Sequence, residues 1–263
     1  MLYPYQPPSL AVGRNAGGTG YVNVIVLVAG VGNRIREVTH RPKCLLVVEG
    51  KSLLHRYLDA LTPYASRIEN IVLVVGHEAQ AIERHAAEHP LAGLLRLVYN
   101  PSYKQGSVLS ALAARDYFQQ DVLLMDGDVF FTPPLLEKLM SAIQRTVLLV
   151  DTTSSNTGEE IMVGADHGRV TAIARGISGL FDIYGEWIGF LRMGPETSSK
   201  FSDLLAQVVK SGPESIGYED VLQQLVDEER FGIVLADGLP WIEIDFPQDL
   251  AQAEKLASAN LAE

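Results

Sequence analysis

Val24-Ile25-Val26-Leu27-Val28-Ala29-Gly30-Val31-Gly32-Asn33-Arg34 is the stretch that decides the fold. Its first five residues are a continuous apolar run rich in β-branched side chains, as in a strand buried on both faces. A glycine-rich turn follows at once. In an open α/β sheet, ligands gather at the carboxyl ends of strands. Glycine there lets backbone N–H groups come close to a phosphate. Two standard phosphate motifs fail. The dinucleotide fingerprint needs a glycine at position 35, which is Ile35, and a phosphate loop ending in Gly50-Lys51-Ser52 needs one at Leu45. What remains is a G-x-G-x-R loop followed by Pro42-Lys43. An arginine and a lysine beside such a loop either neutralise a triphosphate or are two surface cations on an ordinary turn.

Outward from this stretch, strand and helix signals alternate. Ile71–Val75, Leu94–Tyr99, Val122–Met125 and Thr146–Val150 read as strands. Ser52–Leu61, Glu78–His89 and Val108–Tyr117 read as helices, and another starts at Thr132-Pro133-Pro134. Leu53, Leu54, Tyr57, Leu58 and Leu61 share one helical face. The alternation predicts a parallel sheet covered on both sides. After Asp151 the pattern changes to a hairpin, Ile161–Asp166 and Arg169–Ala174 around His167-Gly168, then a strand Trp187–Met193. Helices Phe201–Val209 and Glu219–Val226, strands Phe231–Leu235 and Trp241–Asp245, and a helix from Pro247 to Ala257 complete the chain. No Pro/Gly/Ser-rich linker divides it. The expected organisation is a loosely packed arm over residues 1–20, one domain over 21–258 and a frayed tail over 259–263. Within the domain, 21–150 carry the glycine loop, and 151–258 complete the sheet and wall a site.

The 263 residues carry a net charge of −11 and one cysteine, Cys44. The length suffices to bury about 70–75% of the unfolded surface without disulfides or a structural metal. A lone cysteine excludes an internal disulfide framework and suggests a reducing, cytoplasmic setting. The acidic balance disfavours a broad nucleic-acid surface. No apolar run approaches the ~18 residues of a membrane helix, and residues 1–20 lack the features of a secretory signal.

The opening stretch with Thr39, Pro42-Lys43-Cys44-Leu45 and Gly50-Lys51-Ser52-Leu53-Leu54 resembles the start of the sugar-phosphate and alcohol-phosphate nucleotidyltransferase superfamily. The likeness continues through Asn100-Pro101 with Ser107 and Ser110, Leu124-Met125-Asp126-Gly127-Asp128-Val129, Gly185-Glu186-Trp187-Ile188-Gly189 and Trp241-Ile242-Glu243-Ile244-Asp245. It spans about Val22 to Leu256 and implies a nucleotide-binding half over 21–150 and an acceptor-binding half over 151–258. The later blocks look most like the choline-phosphate, aminoethylphosphonate and inositol-phosphate cytidylyltransferases. The resemblance implies a three-layer α/β/α Rossmann-like fold with a mixed, mostly parallel sheet. It implies Mg²⁺-dependent transfer of a nucleoside monophosphate, CMP from CTP foremost, to a small phosphate or phosphonate acceptor, with release of pyrophosphate. Sugar-1-phosphate uridylyl or guanylyl transfer, and a catalytically silent nucleotide-binding regulator, are the alternatives. Asn33 and Val28 depart from the residues usual at their positions.

Asp128 and Asp245 stand at the carboxyl ends of predicted strands, and two such carboxylates suit a hard cation such as Mg²⁺. They match the family's metal ligands; Asp126 and Asp249 compete for the roles, and turn or N-cap aspartates are the plain alternative. The resemblance assigns Ala29, Gly30, Val31, Gly32, Asn33, Arg34, Lys43 and Ser107 to the nucleotide. It makes Arg34, Lys43 and Asp128 catalytic. Ser107 and Ser110 equally suit helix capping. Arg175 lies where relatives carry a lysine for the acceptor phosphate. Glu186 and Trp187 suit a cationic head group, with Trp241 and Tyr218 as weaker candidates; core packing is the alternative for each aromatic. Cys44 is expected to point away from Lys43 if the segment is extended. His85-Ala86-Ala87-Glu88-His89 spells an inverted zinc-protease motif, but Pro90 stops the helix that such a site needs.

Overall fold

In the computed structural model of the chain, the described residues are 20–35, 39–154, 157–212 and 216–260. The expected arm over 1–19 and the tail over 261–263 lie outside them. Apolar periodicity converts into elements in the order β1 (Val22–Leu27), β2 (Val47–Val48), β3 (Lys51–Ser52), α1 (Leu53–Leu61), β4 (Ile68–Val75), α2 (Ala79–Ala87), β5 (Leu95–Tyr99), α3 (Ser107–Ala113), β6 (Asp121–Asp126), β7 (Val129–Phe131) and α4 (Pro133–Ser141). There follow β8 (Val147–Asp151), β9 (Ile161–Asp166), β10 (Arg169–Arg175), β11 (Ile183–Met193), α5 (Pro195–Ser211), α6 (Glu219–Glu228), β12 (Gly232–Leu235), β13 (Trp241–Glu243) and α7 (Pro247–Asn260).

Nine strands make one sheet in the order β10-β9-β11-β6-β1-β4-β5, with β8 on the free side of β11 and β12 beside β8. Pairings β1–β4, β1–β6, β4–β5 and β12–β8 are parallel. β11 runs antiparallel to β6, β8 and β9, and β10 antiparallel to β9. Seven of the nine strands therefore point one way, with β10 and β11 reversed.

Alternation along the strands builds two cores. Val24, Val26, Leu73 and Met125 face α1, α2, α4 and α7. Ile25, Val72, Val74 and Leu124 face α3, α5 and α6. This is the expected three-layer α/β/α arrangement.

Several boundaries differ from the sequence reading, among them β11, which begins at Ile183, and α5, which begins at Pro195. The helix expected over Val108–Tyr117 ends at Ala113 and continues as a tight turn, Arg115–Tyr117. The strand expected over Trp241–Asp245 stops at Glu243; the Ile244 N–H still donates to the Asp128 carbonyl at 2.9 Å in the same register, and the Asp245 N–H then turns to Asp249. The last helix runs to Asn260 rather than ending before residue 259.

Candidate active site

Parallel pairing sets Leu27 opposite Asp126, so the loop after β1 and the turn after β6 leave the same edge of the sheet. Gly127 makes that edge tight. Its N–H donates to the Leu27 carbonyl at 3.1 Å, and an added Cβ would stand 2.4 Å from Val28 Cγ1 and 2.7 Å from the Leu27 oxygen. Gly32 turns the loop with φ +63°, which favours glycine. Gly30 is different. It has no positive φ, and its absent Cβ would meet nothing within 4 Å. Neither strain nor packing requires a glycine there.

Asp128 is aimed by the turn that carries it. The Tyr57 hydroxyl lies under that turn, 2.6 Å from the Asp126 carbonyl, and accepts from the Val129 N–H at 3.1 Å. The Ile244 bond to the Asp128 backbone then brings the end of β13 alongside. Asp249 caps the next helix by accepting the N–H groups of Asp245 (3.0 Å) and Phe246 (2.6 Å). Its Oδ2 is thereby committed to the backbone, while the carboxylate of Asp245 faces Lys43 and Arg34. Asp126 also takes another course: the Tyr218 hydroxyl lies 2.9 Å from both its carboxyl oxygens. Burial, reinforced by the charge of Asp128, holds Asp126 well above the usual carboxylate range.

Lys43 joins the two aspartates. Its ammonium lies 3.0 Å from Asp128 Oδ2 and in close contact with Asp245 Oδ1. Burial alone would lower its pKa, but the two carboxylates outweigh that and raise it above the ordinary lysine value. Arg34 reaches Asp245 Oδ2 at 2.7 Å and stacks over Phe246, 5.4 Å from the ring centre. Burial works against the charge of Asp245, yet Lys43 and Arg34 prevail and hold its pKa below the usual range. The segment is not extended as expected: Lys43–Leu45 form one helical turn. Cys44 lines the recess beside Lys43 but is 2% exposed, and burial pushes its thiol up, away from reactivity.

Glu243 is the site residue that the sequence reading missed. A carboxylate oxygen from each of Asp128, Glu243 and Asp245 lies within 4.8 Å of the others. Burial of its carboxyl, then crowding by Asp128 and Asp245, pushes the pKa of Glu243 upward. The signal was present, since residues two apart on a strand share a face. An all-oxygen set of three carboxylates fits a hard divalent cation such as Mg²⁺.

The cleft around these groups has a volume of about 1370 Å³. That exceeds the ~300–1,000 Å³ of a typical single-ligand pocket. Ala29 to Arg34, Ser107, Asp128 and Asp245 line one part of it; Arg175, Glu186, Trp187 and Trp241 line another. Ser107 does not cap α3. Its hydroxyl accepts from the Tyr218 N–H at 2.9 Å and donates to Glu219 at 3.3 Å. Ser110 is buried and accepts from Asn100 at 3.0 Å. Arg175 is largely exposed, 4.0 Å from Glu219. Trp187 is 6% exposed, and its indole N–H is committed to the Phe190 carbonyl at 3.0 Å, so it is chiefly a wall. Trp241 is more open, with its N–H on Asp151 at 2.8 Å. Burial raises the Glu186 pKa to about 7.

A family model described as the MobA-like NTP transferase domain matches residues 24–180. The chain belongs to this family. A bifunctional IPC transferase and DIPP synthase of Rubrobacter xylanophilus is 31% identical over 255 residues. The alignment covers 92% of this chain and 53% of that protein. The CMP-5'-(3-aminopropyl)phosphonate synthase of Streptomyces rubellomurinus is 39% identical over 124 residues, 46% of this chain and 19% of that one. The chain thus spans about half of the first relative and about a fifth of the second matches. Among solved structures, the inositol-1-phosphate CTP transferase from T. maritima superposes with a TM-score of 0.74 at 24% identity. It covers 92% of this chain and 96% of that one, a likeness of fold for this MobA-like domain.

Proposed function

We propose that this member of the MobA-like NTP transferase family is a cytidylyltransferase. It moves CMP from CTP to a small phosphate or phosphonate acceptor and releases pyrophosphate. The observation that carries the reading is the convergence of Lys43, Arg34, Asp128 and Asp245 beside the glycine loop, lining one recess.

An acceptor oxygen attacks the α-phosphorus. The bond from that phosphorus to the bridging oxygen breaks, and pyrophosphate departs with the electron pair. The protein needs no covalent nucleophile, only in-line positioning and charge neutralisation. The backbone N–H groups of Gly30 to Asn33 and the Arg34 guanidinium bind the β and γ phosphates. Lys43 steadies the α-phosphate as negative charge shifts. Asp128 and Asp245, with Glu243, would hold Mg²⁺, which when bound supplies charge neutralisation at the phosphate oxygens. Arg175 receives the acceptor phosphate. Asp151, Glu160 and Glu186 beside Trp241 favour a cationic or hydroxyl-rich head group. The choice of cytosine rests on the relatives, whose names specify CMP or CTP.

The test is a matrix of CTP, UTP, GTP and ATP against choline phosphate, aminoethylphosphonate, an inositol phosphate and a sugar 1-phosphate, read by pyrophosphate release. The expected result is release confined to CTP with a phosphate or phosphonate acceptor. Binding of the triphosphate without release in any combination would leave a silent nucleotide-binding protein instead.

A further inference from the structure

The sheet order β11-β6-β1-β4-β5 sets the glycine loop after β1 between the Asp128 turn after β6 and the segments that follow β4 and β5. The His77 N–H donates to the Ala29 carbonyl at 3.1 Å, and the Asn100 N–H to the Val75 carbonyl at 2.9 Å, so the loop and both segments form one continuous edge. Tyr103 and Lys104 line the cleft there, with Gly106, Ser107 and Ser110. With the phosphates on the glycine loop and the acceptor beside Arg175 and Glu186, this edge is the part of the cleft left for the nucleoside.

Tyr103 is built into this edge. Its ring stands where a side chain at Gly76 would be: an added Cβ would lie 2.5 Å from Tyr103 Cγ and 2.8 Å from Cδ1. Gly76 has no positive φ, so the space taken by the ring, and not the backbone, is what excludes a side chain there. The turn that carries Tyr103 is closed by Asn100, which is 3% exposed. Its Oδ1 accepts from the Ser102 N–H at 2.9 Å, and its Nδ2 donates to Ser110 Oγ on α3 at 3.0 Å. The Gln105 N–H donates to the Ser102 carbonyl at 2.9 Å. The ring is half-buried, and its hydroxyl bonds to no other described residue. Lys104 reaches over it, with the ammonium 5.8 Å from the ring centre. That side chain is exposed, so a flat ligand can take its place.

Four other rings line the cleft, and each has a different place. Trp187 and Tyr218 are buried, Trp241 stands against Asp151 on the acceptor side, and Phe246 lies under Arg34. We infer that Tyr103, seated on Gly76, is the platform on which the nucleobase of the bound triphosphate stacks. The inference rests on the placing of the phosphates proposed above, but not on which base is preferred. Stacking on an aromatic side chain tolerates any base, because every base has a π-face. Tyr103 therefore adds affinity for the nucleoside and none for pyrophosphate, and the choice among bases falls to polar groups around the ring.

The test is calorimetry of the full chain in Mg²⁺ with CTP, UTP, GTP and ATP and, separately, with pyrophosphate. Tyr103→Leu keeps bulk against Gly76 but has no ring. It should weaken every nucleoside triphosphate that the parent binds by about tenfold or more, and leave pyrophosphate affinity unchanged. Tyr103→Phe keeps the ring and loses only the unbonded hydroxyl, so it should retain parent-like affinity for both. Parent-like triphosphate affinity in Tyr103→Leu, an equal loss of triphosphate and pyrophosphate binding, or a Tyr103→Phe as weak as Tyr103→Leu would overturn the platform. A parent that prefers UTP or GTP would overturn the cytidylyl reading instead, and the same comparison of variants with that nucleotide still decides the role of Tyr103. A parent that binds pyrophosphate but no nucleoside triphosphate would overturn both.

Discussion

The ammonium of Lys43 lies 3.0 Å from Oδ2 of Asp128, a residue 85 positions further along the chain. It also contacts Asp245, so one cation neutralises two carboxylates that would otherwise repel each other. A divalent ion at the same carboxylates competes with that ammonium. Lys43→Met should therefore make the fold more dependent on Mg²⁺: the rise in melting temperature on adding Mg²⁺ should be larger than in the parent. Turnover should fall by about 100-fold or more, as for loss of a charge-stabilising donor. Melting curves with and without Mg²⁺, beside steady-state rates, check both. An equal Mg²⁺ shift in the two proteins would argue against shared occupancy.

Asp128→Asn and Asp245→Asn separate function from folding. Lys43 and Arg34 hold Asp245 in its charged form, so Asp245→Asn should cost some stability at neutral pH, far less than it costs turnover. Turnover should drop by orders of magnitude. Chemical denaturation and kinetics on the same samples make the comparison, and near-normal turnover in both would remove these residues from the chemistry.

The two glycines of the sheet edge predict opposite phenotypes. Gly127→Ala forces a methyl to 2.4 Å from Val28 and 2.7 Å from a backbone oxygen. It should cost about 1–3 kcal/mol. Gly30→Ala meets nothing within 4 Å and should leave the melting temperature unchanged while weakening triphosphate binding. Calorimetry of each variant with CTP reads both effects.

Glu186 links pH to the acceptor side. Its folded pKa is raised from 4.5 to about 7. A carboxyl raised in this way is more readily protonated in the folded chain than in the unfolded one. Its favourable contribution is full below about 4.5 and is lost as pH rises through about 7. Glu186→Gln should thus stabilise the protein at about pH 8 and have little effect below about pH 4.5. For a cationic acceptor, KM should rise as pH falls through about 7, and the variant should lose that dependence.

Tyr57→Phe tests how the turn is aimed. The lost hydroxyl leaves the buried Val129 N–H without its partner, a cost of about 1–3 kcal/mol. Turnover should fall with it, because the turn that directs Asp128 loses its anchor. A stability loss with unchanged turnover would show that other contacts suffice.

Much of this arrangement was legible in the chain itself. The β1 run and its glycine turn fixed the sheet and the ligand edge, because buried parallel strands have an unmistakable apolar pattern. Asp128 and Asp245 stood out as strand-end carboxylates. Glu243 did not, because an acidic residue on a short strand looks like a solvated face until β13 pairs with β7 and turns it toward Asp128. Tyr57 was visible only as one apolar position of a helix; its hydroxyl matters through a contact 72 residues away.

The central claim is that CMP leaves CTP and is joined to an acceptor phosphorus. The most direct measurement follows unlabelled CTP, with Mg²⁺ and aminoethylphosphonate or choline phosphate, by phosphorus NMR. The expected product shows the α-phosphorus of CTP coupled through a bridging oxygen to the acceptor phosphorus, formed together with pyrophosphate and absent in Asp128→Asn. Bound but intact CTP, or CMP released without linkage to any acceptor, would contradict it.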